Sequence, residues 1–389
     1  MKILIEFYDR SVLKNMVAAL SLQPDYLTFF YDKEMFDTFE IYSTYLACKK
    51  YLPALKFELR SVDYHDYPMI ESKIGQYILD NCDNNICIDL TGGSELMTIA
   101  GYNAGKNANV QVFFSDIYKS EVVRLTQNGP KYRSLPFTLE DIIEAGGGKL
   151  SGFTPTDWLA KHKKELYAMS KKVLASPKAW SDTCRFFQKT RGQKTSNPLH
   201  FEVSLNHTAS NAGLPDKRML YSCQSCRLIQ NLLYTKQRLS FDFTFRRAAE
   251  YMSSYGVWLE LFSYYEMLKI PKIRDVKTSI KIDWNRRDDI EIIGNEVDVT
   301  AMYGCRPVVV SCKQSTNPVS ADALNELYVV ARRIGGKYSI PILITRSDIK
   351  HEHSGIYMKA REMKMHVLDA SDILSQDFCL RLGRIISEN

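Results

Sequence analysis

Asn295-Glu296-Val297-Asp298-Val299 and, after a turn, Pro307-Val308-Val309-Val310-Ser311-Cys312-Lys313 are two β-rich runs that each end in polar residues at alternating positions. Side chains return to the same face of a strand every second residue. Glu296 and Asp298 are therefore expected to point one way, and Ser311 and Lys313 to share a face of the next strand. A hairpin with Asp298 and Lys313 side by side at its open end carries the groups needed to hold a divalent cation and a water. The carboxylate is a hard oxygen ligand, and the lysine is a point charge and donor.

Outward from this hairpin, a unit starting at residue 255 reads as a helix (257–268), a strand pair (274–284 and 295–303), the strand 308–313, a helix (321–333), a strand (340–345), a helix (355–364) and a strand (365–368). At the other end of the chain, strands and helices alternate from residue 2 to residue 127. The strands are 2–8, 26–31, 57–62, 86–90, 110–116 and an edge strand at 121–127. Such alternation predicts a doubly wound α/β sheet. The run Gly146-Gly147-Gly148 breaks a short helix and marks a boundary. The expected organisation is thus 1–148, a connecting region 149–254 and a C-terminal α/β unit 255–389. Within the connecting region, 155–192 reads as lysine-rich helix, 193–220 as a long exposed loop, and 221–252 as helix again.

Bulk composition narrows the class without naming a function. The chain has 389 residues, 45% hydrophobic and 25% charged, which is ordinary for a globular protein of two or three domains. Its formal charge of +6 is compatible with an anionic partner. No run approaches the ~18 apolar residues of a spanning helix, so no membrane partner is expected. The N-terminus, Met1 to Asp9, reads as a strand rather than a signal peptide. Nine scattered cysteines suit reduced thiols in a cytoplasmic protein. Cys223-Gln224-Ser225-Cys226 is a lone CxxC, and a zinc site would need further ligands from candidates such as Cys184 and His207, whose spacing is irregular.

Ligands of open parallel sheets sit beyond the carboxyl ends of the strands. Two loops are expected there: Asp9-Arg10-Ser11 after the first strand, and Thr91-Gly92-Gly93-Ser94-Glu95 after the fourth. Glycines let backbone N–H groups approach a ligand, a helix start favours phosphate, and Thr91 and Ser94 add hydroxyls. The stretch IDLTGGSELMTIAGYNAG (88–105) resembles the fourth-strand motif of CARF domains, the sensors of cyclic oligoadenylates in type III CRISPR defence. Asp9-Arg10-Ser11 is similar to that family's first binding loop. The resemblance implies a Rossmann-like sheet and a homodimer that binds one ring-shaped ligand across its two-fold axis. Cyclic tetra-adenylate is the expected activator, with cyclic hexa-adenylate the second choice.

A second resemblance covers roughly 255–370. GVWLELFSYYEML (256–268), NEVDV (295–299), VVVSCK (308–313), ELYVVARRIGG (326–336) and REMKMHVLDA (361–370) are similar, in order, to the PD-(D/E)xK nuclease domain of CARF-fused effectors. This implies a restriction-endonuclease-like α/β fold. Asp298, Glu260 and a main-chain carbonyl near Cys312 would be ligands of Mg²⁺ or Mn²⁺, Lys313 the motif lysine, and Glu296 a further acid. Ser311 departs from the pattern, because the family carries Glu or Asp two residues before the lysine. The implied activity is cleavage of single-stranded DNA or RNA, or nicking of duplex DNA. Arg286, Arg287, Arg332, Arg333 and Lys337 are candidates to follow the phosphodiester backbone beside Lys313. The alternative is a ligand-responsive DNA-binding regulator, with a helix-turn-helix module in 155–192 and an inactive nuclease fold.

Overall fold

The computed structural model describes residues 1–126, 129–190, 197–205, 213–284, 294–317 and 319–388. The first part of the chain runs β1 (Lys2–Phe7), α1 (Val12–Leu22), β2 (Tyr26–Tyr31), α2 (Thr38–Lys49), β3 (Lys56–Ser61), α3 (Tyr67–Asp80), β4 (Asn85–Asp89), α4 (Glu95–Asn107), β5 (Gln111–Asp116), β6 (Glu121–Arg124), β7 (Tyr132–Arg133) and α5 (Leu139–Ala145). Ile3, Leu4, Ile5 and Phe7 are all essentially buried. A run of apolar residues without alternation is what a strand covered on both faces requires. The seven strands lie in the order β3-β2-β1-β4-β5-β6-β7, with β1 to β5 parallel and β6 and β7 antiparallel at the edge. This is the expected Rossmann-like sheet. Its order reverses between β1 and β4, so the two candidate loops stand side by side at the switch point.

The connecting region corrects the expectation. It contains β8 (Lys149–Gly152), α6 (Thr156–Lys161), α7 (Lys163–Ala175), α8 (Pro177–Thr190), β9 (His200–Ser204), α9 (Lys217–Ser225), β10 (Ile229–Tyr234), β11 (Arg238–Phe243) and α10 (Arg246–Met252). Most of 226–245 is therefore a β-hairpin rather than helix, and β9 replaces part of the expected loop. The three strands form an antiparallel sheet in the order β10-β11-β9. Ile229, Leu232 and Leu233 carry helical spacing, yet Asn231 adopts φ 56° and the ladder shifts register between Gln230 and Leu233. The irregular strand thus imitates a helical pattern. Tertiary packing settles it: the Phe201 and Phe241 rings stack at 4.9 Å, and Phe187 of α8 packs edge-on against both.

The C-terminal unit comprises α11 (Val257–Met267), β12 (Ile273–Asp283), β13 (Gly294–Tyr303), β14 (Arg306–Lys313), α12 (Ala321–Gly335), a 3-10 turn (Gly336–Tyr338), β15 (Ile340–Thr345), α13 (Ser354–Glu362), β16 (His366–Leu368), α14 (Ala370–Ile373) and α15 (Phe378–Ser387). Its sheet runs β16-β15-β14-β13-β12-β8, so β8 completes it from far upstream. β12, β13 and β14 form an antiparallel meander, whereas β14, β15 and β16 are parallel. The two faces of this sheet enter different cores. Val308, Val310, Ile342 and Ile344 pack with Trp258 and Leu261 of α11. Val309 and Leu343 pack with Leu324, Leu327 and Val330 of α12, in the cluster that also holds the core of the N-terminal sheet. Helix α12 is thereby shared between the two large sheets. Helix α7, within the stretch weighed as a helix-turn-helix, is packed against α11. No helix among the described residues is long and apolar enough to cross a membrane.

Candidate active site and ligand loops

Strands β13 and β14 pair from Tyr303↔Arg306 to Val299↔Val310 and then part. Asp298 fills the opening. Its Oδ2 accepts a hydrogen bond from the Cys312 backbone N–H at 2.6 Å and lies 3.4 Å from the Ser311 hydroxyl. A carboxylate thus replaces the next ladder carbonyl, which holds the side chain at the fork. Thr278 of β12 steadies the same residue by donating its hydroxyl to the Asp298 carbonyl at 2.7 Å. Glu296, Asp298, Ser311 and Lys313 line one cavity of about 220 Å³, as the strand periodicity predicts.

Glu260, in the first turn of α11, does not line this cavity but lies within electrostatic reach of Asp298, Glu296 and Lys313. It receives a 3.4 Å hydrogen bond from Ser279, on β12. Burial, then the charges of Asp298 and Glu296, push its carboxyl up to about 8. Burial also raises Asp298, against the pull of the Cys312 amide and Lys313. Two carboxyl groups crowded at the edge of a core favour protonation unless a cation joins them. Among the described residues no group of three or more His, Cys, Asp or Glu side chains is arranged to hold a metal. Ser311 lines the cavity between Asp298 and Lys313 and brings a hydroxyl rather than a charge. Cys312 offers its N–H to Asp298, and its thiol turns into the α11 core beside Ser263.

Two features escaped sequence reasoning. Glu326 of α12 lines the same cavity, beside Leu327 and Val330. Its signal was present, since helical spacing puts Leu327 and Val330 on the core and Glu326 at the margin, but only the packing shows which cavity that margin borders. Gln314, directly after Lys313, is buried, and its Oε1 accepts from the Leu259 N–H at 3.1 Å, tying β14 to the start of α11. The basic residues, by contrast, do not gather at this cavity. Arg332 and Lys337 line a different depression near the end of α12, and Arg333 lies over the Trp284 ring at 4.3 Å. About 1.5 Å of rise per residue carries them away from Glu326. Arg286 and Arg287 fall outside the described residues.

The switch-point loops are tightly built. Asp9 accepts from the Ser11 N–H at 2.8 Å and pairs with Lys14 at 2.6 Å. Arg10 is exposed; it donates to the Met35 carbonyl and rests near the Phe36 ring. Thr91 is buried, and its hydroxyl donates to Asp89 at 2.9 Å while accepting from the Ser115 N–H at 2.7 Å. That hydroxyl is committed inward, so it does not serve as the free donor the sequence suggested. Gly92 approaches the backbone so closely that a Cβ would stand 1.9 Å from the Phe7 carbonyl oxygen, and Gly93 adopts φ 73°. Ser94 caps α4 by accepting from the Met97 N–H at 3.3 Å, and Glu95 is exposed. The Ser11 hydroxyl is buried without a partner, against Gly336 of the 3-10 turn after α12. At the CxxC, burial and the neighbouring Cys226 raise the Cys223 thiol. Cys184 is also buried, and His207 lies outside the described residues.

Residues 248–376 match the family model for the Card1-like endonuclease domain. The matched segment contains Glu260, Glu296, Asp298 and Lys313. Similar folds span the whole chain. Protein VC1899 from Vibrio cholerae superposes with TM-score 0.79 at 14% identity, over 100% of this chain and 99% of that one. Can2 from Sulfobacillus thermosulfidooxidans, solved in complex with cyclic tetra-adenylate, gives 0.71 at 16% identity, over 99% of both chains. A type III CRISPR defence DNA nuclease activated by cyclic oligoadenylate gives 0.50 at 12% identity, over 88% of this chain and 45% of that one. No curated protein matches the chain. The resemblance read from the motifs is borne out for the C-terminal unit by the Card1-like endonuclease match, and for the fold of the whole chain by these neighbours.

Proposed function

We propose that this protein is a homodimeric, metal-dependent nuclease switched on by a cyclic oligoadenylate, with cyclic tetra-adenylate the first choice of activator. The observation that carries the reading is the Asp298 carboxylate held at the fork between β13 and β14, in one cavity with Lys313 and within electrostatic reach of Glu260. The Card1-like match covers these residues, and the chain as a whole shares its fold with a neighbour solved with cyclic tetra-adenylate.

The donor set fits Mg²⁺ or Mn²⁺. Mg²⁺ is commonly held by one or two carboxylates, with waters and substrate phosphates completing its shell. Glu260 and Asp298 would hold it, and their raised carboxyls mark where positive charge is wanted. When bound, such an ion lowers the pKa of water and neutralises phosphate charge. Lys313 orients the water or the scissile phosphate, Glu296 and Glu326 tune the field of the cavity, and the Cys312 amide keeps Asp298 in place. Ser311→Glu is expected to tighten Mn²⁺ binding by adding the absent charge, and to lower stability without metal by crowding a third acid. Calorimetric titration and melting of the variant check both outcomes; unchanged metal affinity would remove the role assigned to position 311.

Activation has a short physical route. Helix α12 borders the nuclease cavity at Glu326 and is followed by Gly336, which lies against Ser11 of the ligand loop. Beside it, Tyr118 packs edge-on against Tyr338 at 5.3 Å, and Arg306 donates to the Tyr338 carbonyl. A ligand that binds one arrangement of the Asp9-Arg10-Ser11 loop better than another would bias α12 by that difference in affinity. The test is cleavage of labelled single-stranded DNA, single-stranded RNA and plasmid, with Mg²⁺ or Mn²⁺, with and without cyclic tetra- or hexa-adenylate. Metal-dependent cutting that appears with a cyclic oligoadenylate is expected. Ligand binding without cutting under every condition would contradict the proposal and favour the regulator. Tyr338→Ala is expected to keep ligand affinity and lose about tenfold of the activation, a coupling of the usual size.

A further inference from the structure

Arg346 follows the last residue of β15, and its backbone N–H donates to the Lys313 carbonyl at 2.9 Å. The preceding Thr345 is the register partner of Lys313. The Arg346 side chain is turned inward, the residue being only 8% exposed. Its Nε and Nη1 are buried and have no hydrogen-bond partner. Among the described residues no carboxylate pairs with it. Burying a charged group without a counter-charge opposes folding, so such groups are rare unless something binds them. The contrast with Arg306 shows that this fold can satisfy a buried arginine. Arg306 is as buried, but it donates to the Tyr338 carbonyl and lies over the Tyr118 ring at 4.9 Å.

The surroundings of Arg346 suit an anion. Its electrostatic neighbour is Tyr255, which precedes α11. That helix begins at Gly256 without a side-chain cap. Gln314 occupies the Leu259 amide, and the first amides keep the positive end of the helix dipole. Ser347, next in the chain, has a buried hydroxyl without a partner. An orphan guanidinium and, one residue on, an orphan hydroxyl thus follow the strand paired with the one that carries Lys313, and Tyr255, beside the guanidinium, leads into α11. A guanidinium matches phosphate oxygens through paired N–H donors.

We infer that Arg346 binds a backbone phosphate of the nucleic-acid strand, adjacent to the one positioned at Asp298 and Lys313. This deepens the nuclease reading and rests on it.

The test uses the full chain with cyclic tetra-adenylate, a chelator to prevent cutting, and a fluorescein-labelled oligothymidylate. Affinity is measured against salt for the wild type, Arg346→Lys and Arg346→Met. Arg346→Met is expected to bind about tenfold or more weakly and to lower the salt slope by about 1, the loss of one phosphate contact. Arg346→Lys, which keeps the charge but not the paired donors, should fall between. Without DNA, Arg346→Met is expected to melt higher than the wild type, whereas a structural arginine would melt lower on replacement. Inorganic phosphate should compete better with the wild type than with Arg346→Met. Equal affinity and slope in wild type and variants, with the wild type still cutting when metal is restored, would overturn the role of Arg346 and leave the nuclease standing. If Arg346→Met does not fold, an Arg346→Lys that binds like the wild type does the same. A wild type that neither binds nor cuts would remove the nuclease reading and this role with it.

Discussion

Asp298→Asn is expected to reduce activated cleavage by roughly a thousandfold, the scale on which losing one group that stabilises transition-state charge acts. The substitution is chosen because the fold should survive it. Asp298 Oδ2 accepts from the Cys312 amide at 2.6 Å, and an asparagine carbonyl can accept the same bond. What disappears is the negative charge, and with it half of the proposed carboxylate pair. Lys313→Ala should cause a comparable loss for a different reason, since it removes the donor and cation facing the phosphate. Because the two groups act as a unit, the double variant should lose little more than either single one. Single-turnover cleavage with saturating activator measures all three. Asp298→Asn cutting at the wild-type rate would refute the assignment of the site.

Thermal stability without metal is expected to fall as pH rises from 5 to 9, by several kcal/mol in all. Four carboxyls, two of them buried and two half-buried, share the cause. Glu6 of β1 is fully buried and is raised by burial and by Asp89, against a weaker pull from the Ala19 amide. Asp89, its register partner on β4, is pushed up to about 7 by burial, against hydrogen bonds from Thr91 and Ser115. Glu260 is pushed up to about 8, and Asp298 is raised as well. A carboxyl with a higher pKa in the folded than in the unfolded chain holds a proton that unfolding releases. Its stabilisation is therefore complete below the unfolded value near 4 and is lost as pH climbs through the folded value. For Asp89 that window ends near 7, and for Glu260 near 8, with up to about 4 kcal/mol at stake for each. Mg²⁺ or Mn²⁺ should reverse the alkaline loss that belongs to Glu260 and Asp298, and leave that of Glu6 and Asp89. Glu260→Gln should flatten the upper part of the curve. Calorimetric melting at several pH values, with and without metal, reads these effects; a melting temperature that rises steadily from pH 5 to 8 would contradict them.

Much of the architecture was legible in local patterns. Unbroken apolar runs announced the parallel strands β1, β2 and β4, and the alternation in 295–299 and 307–313 placed Glu296, Asp298, Ser311 and Lys313 around one opening. Period-two geometry is a property of the strand itself, so neighbours in sequence suffice to read it. The hairpin of β10 and β11 was not legible, because an irregular strand with Asn231 in the left-handed region imitates helical spacing.

By itself, then, the sequence determined the order of strands and helices, the glycines that let β4 turn into α4, and the acid–lysine hairpin. Only the tertiary structure decided how polar groups were allotted. It turned the Thr91 hydroxyl inward to Asp89, brought Glu326 to the cavity of the hairpin and Glu260 within electrostatic reach of Asp298, set Gly336 against Ser11, and left Arg346 buried without a partner. The physical reason is range. Secondary structure follows from backbone sterics and spacing within a few residues, whereas hydrogen-bond partners and buried charges depend on which distant segments the packing of the cores brings together.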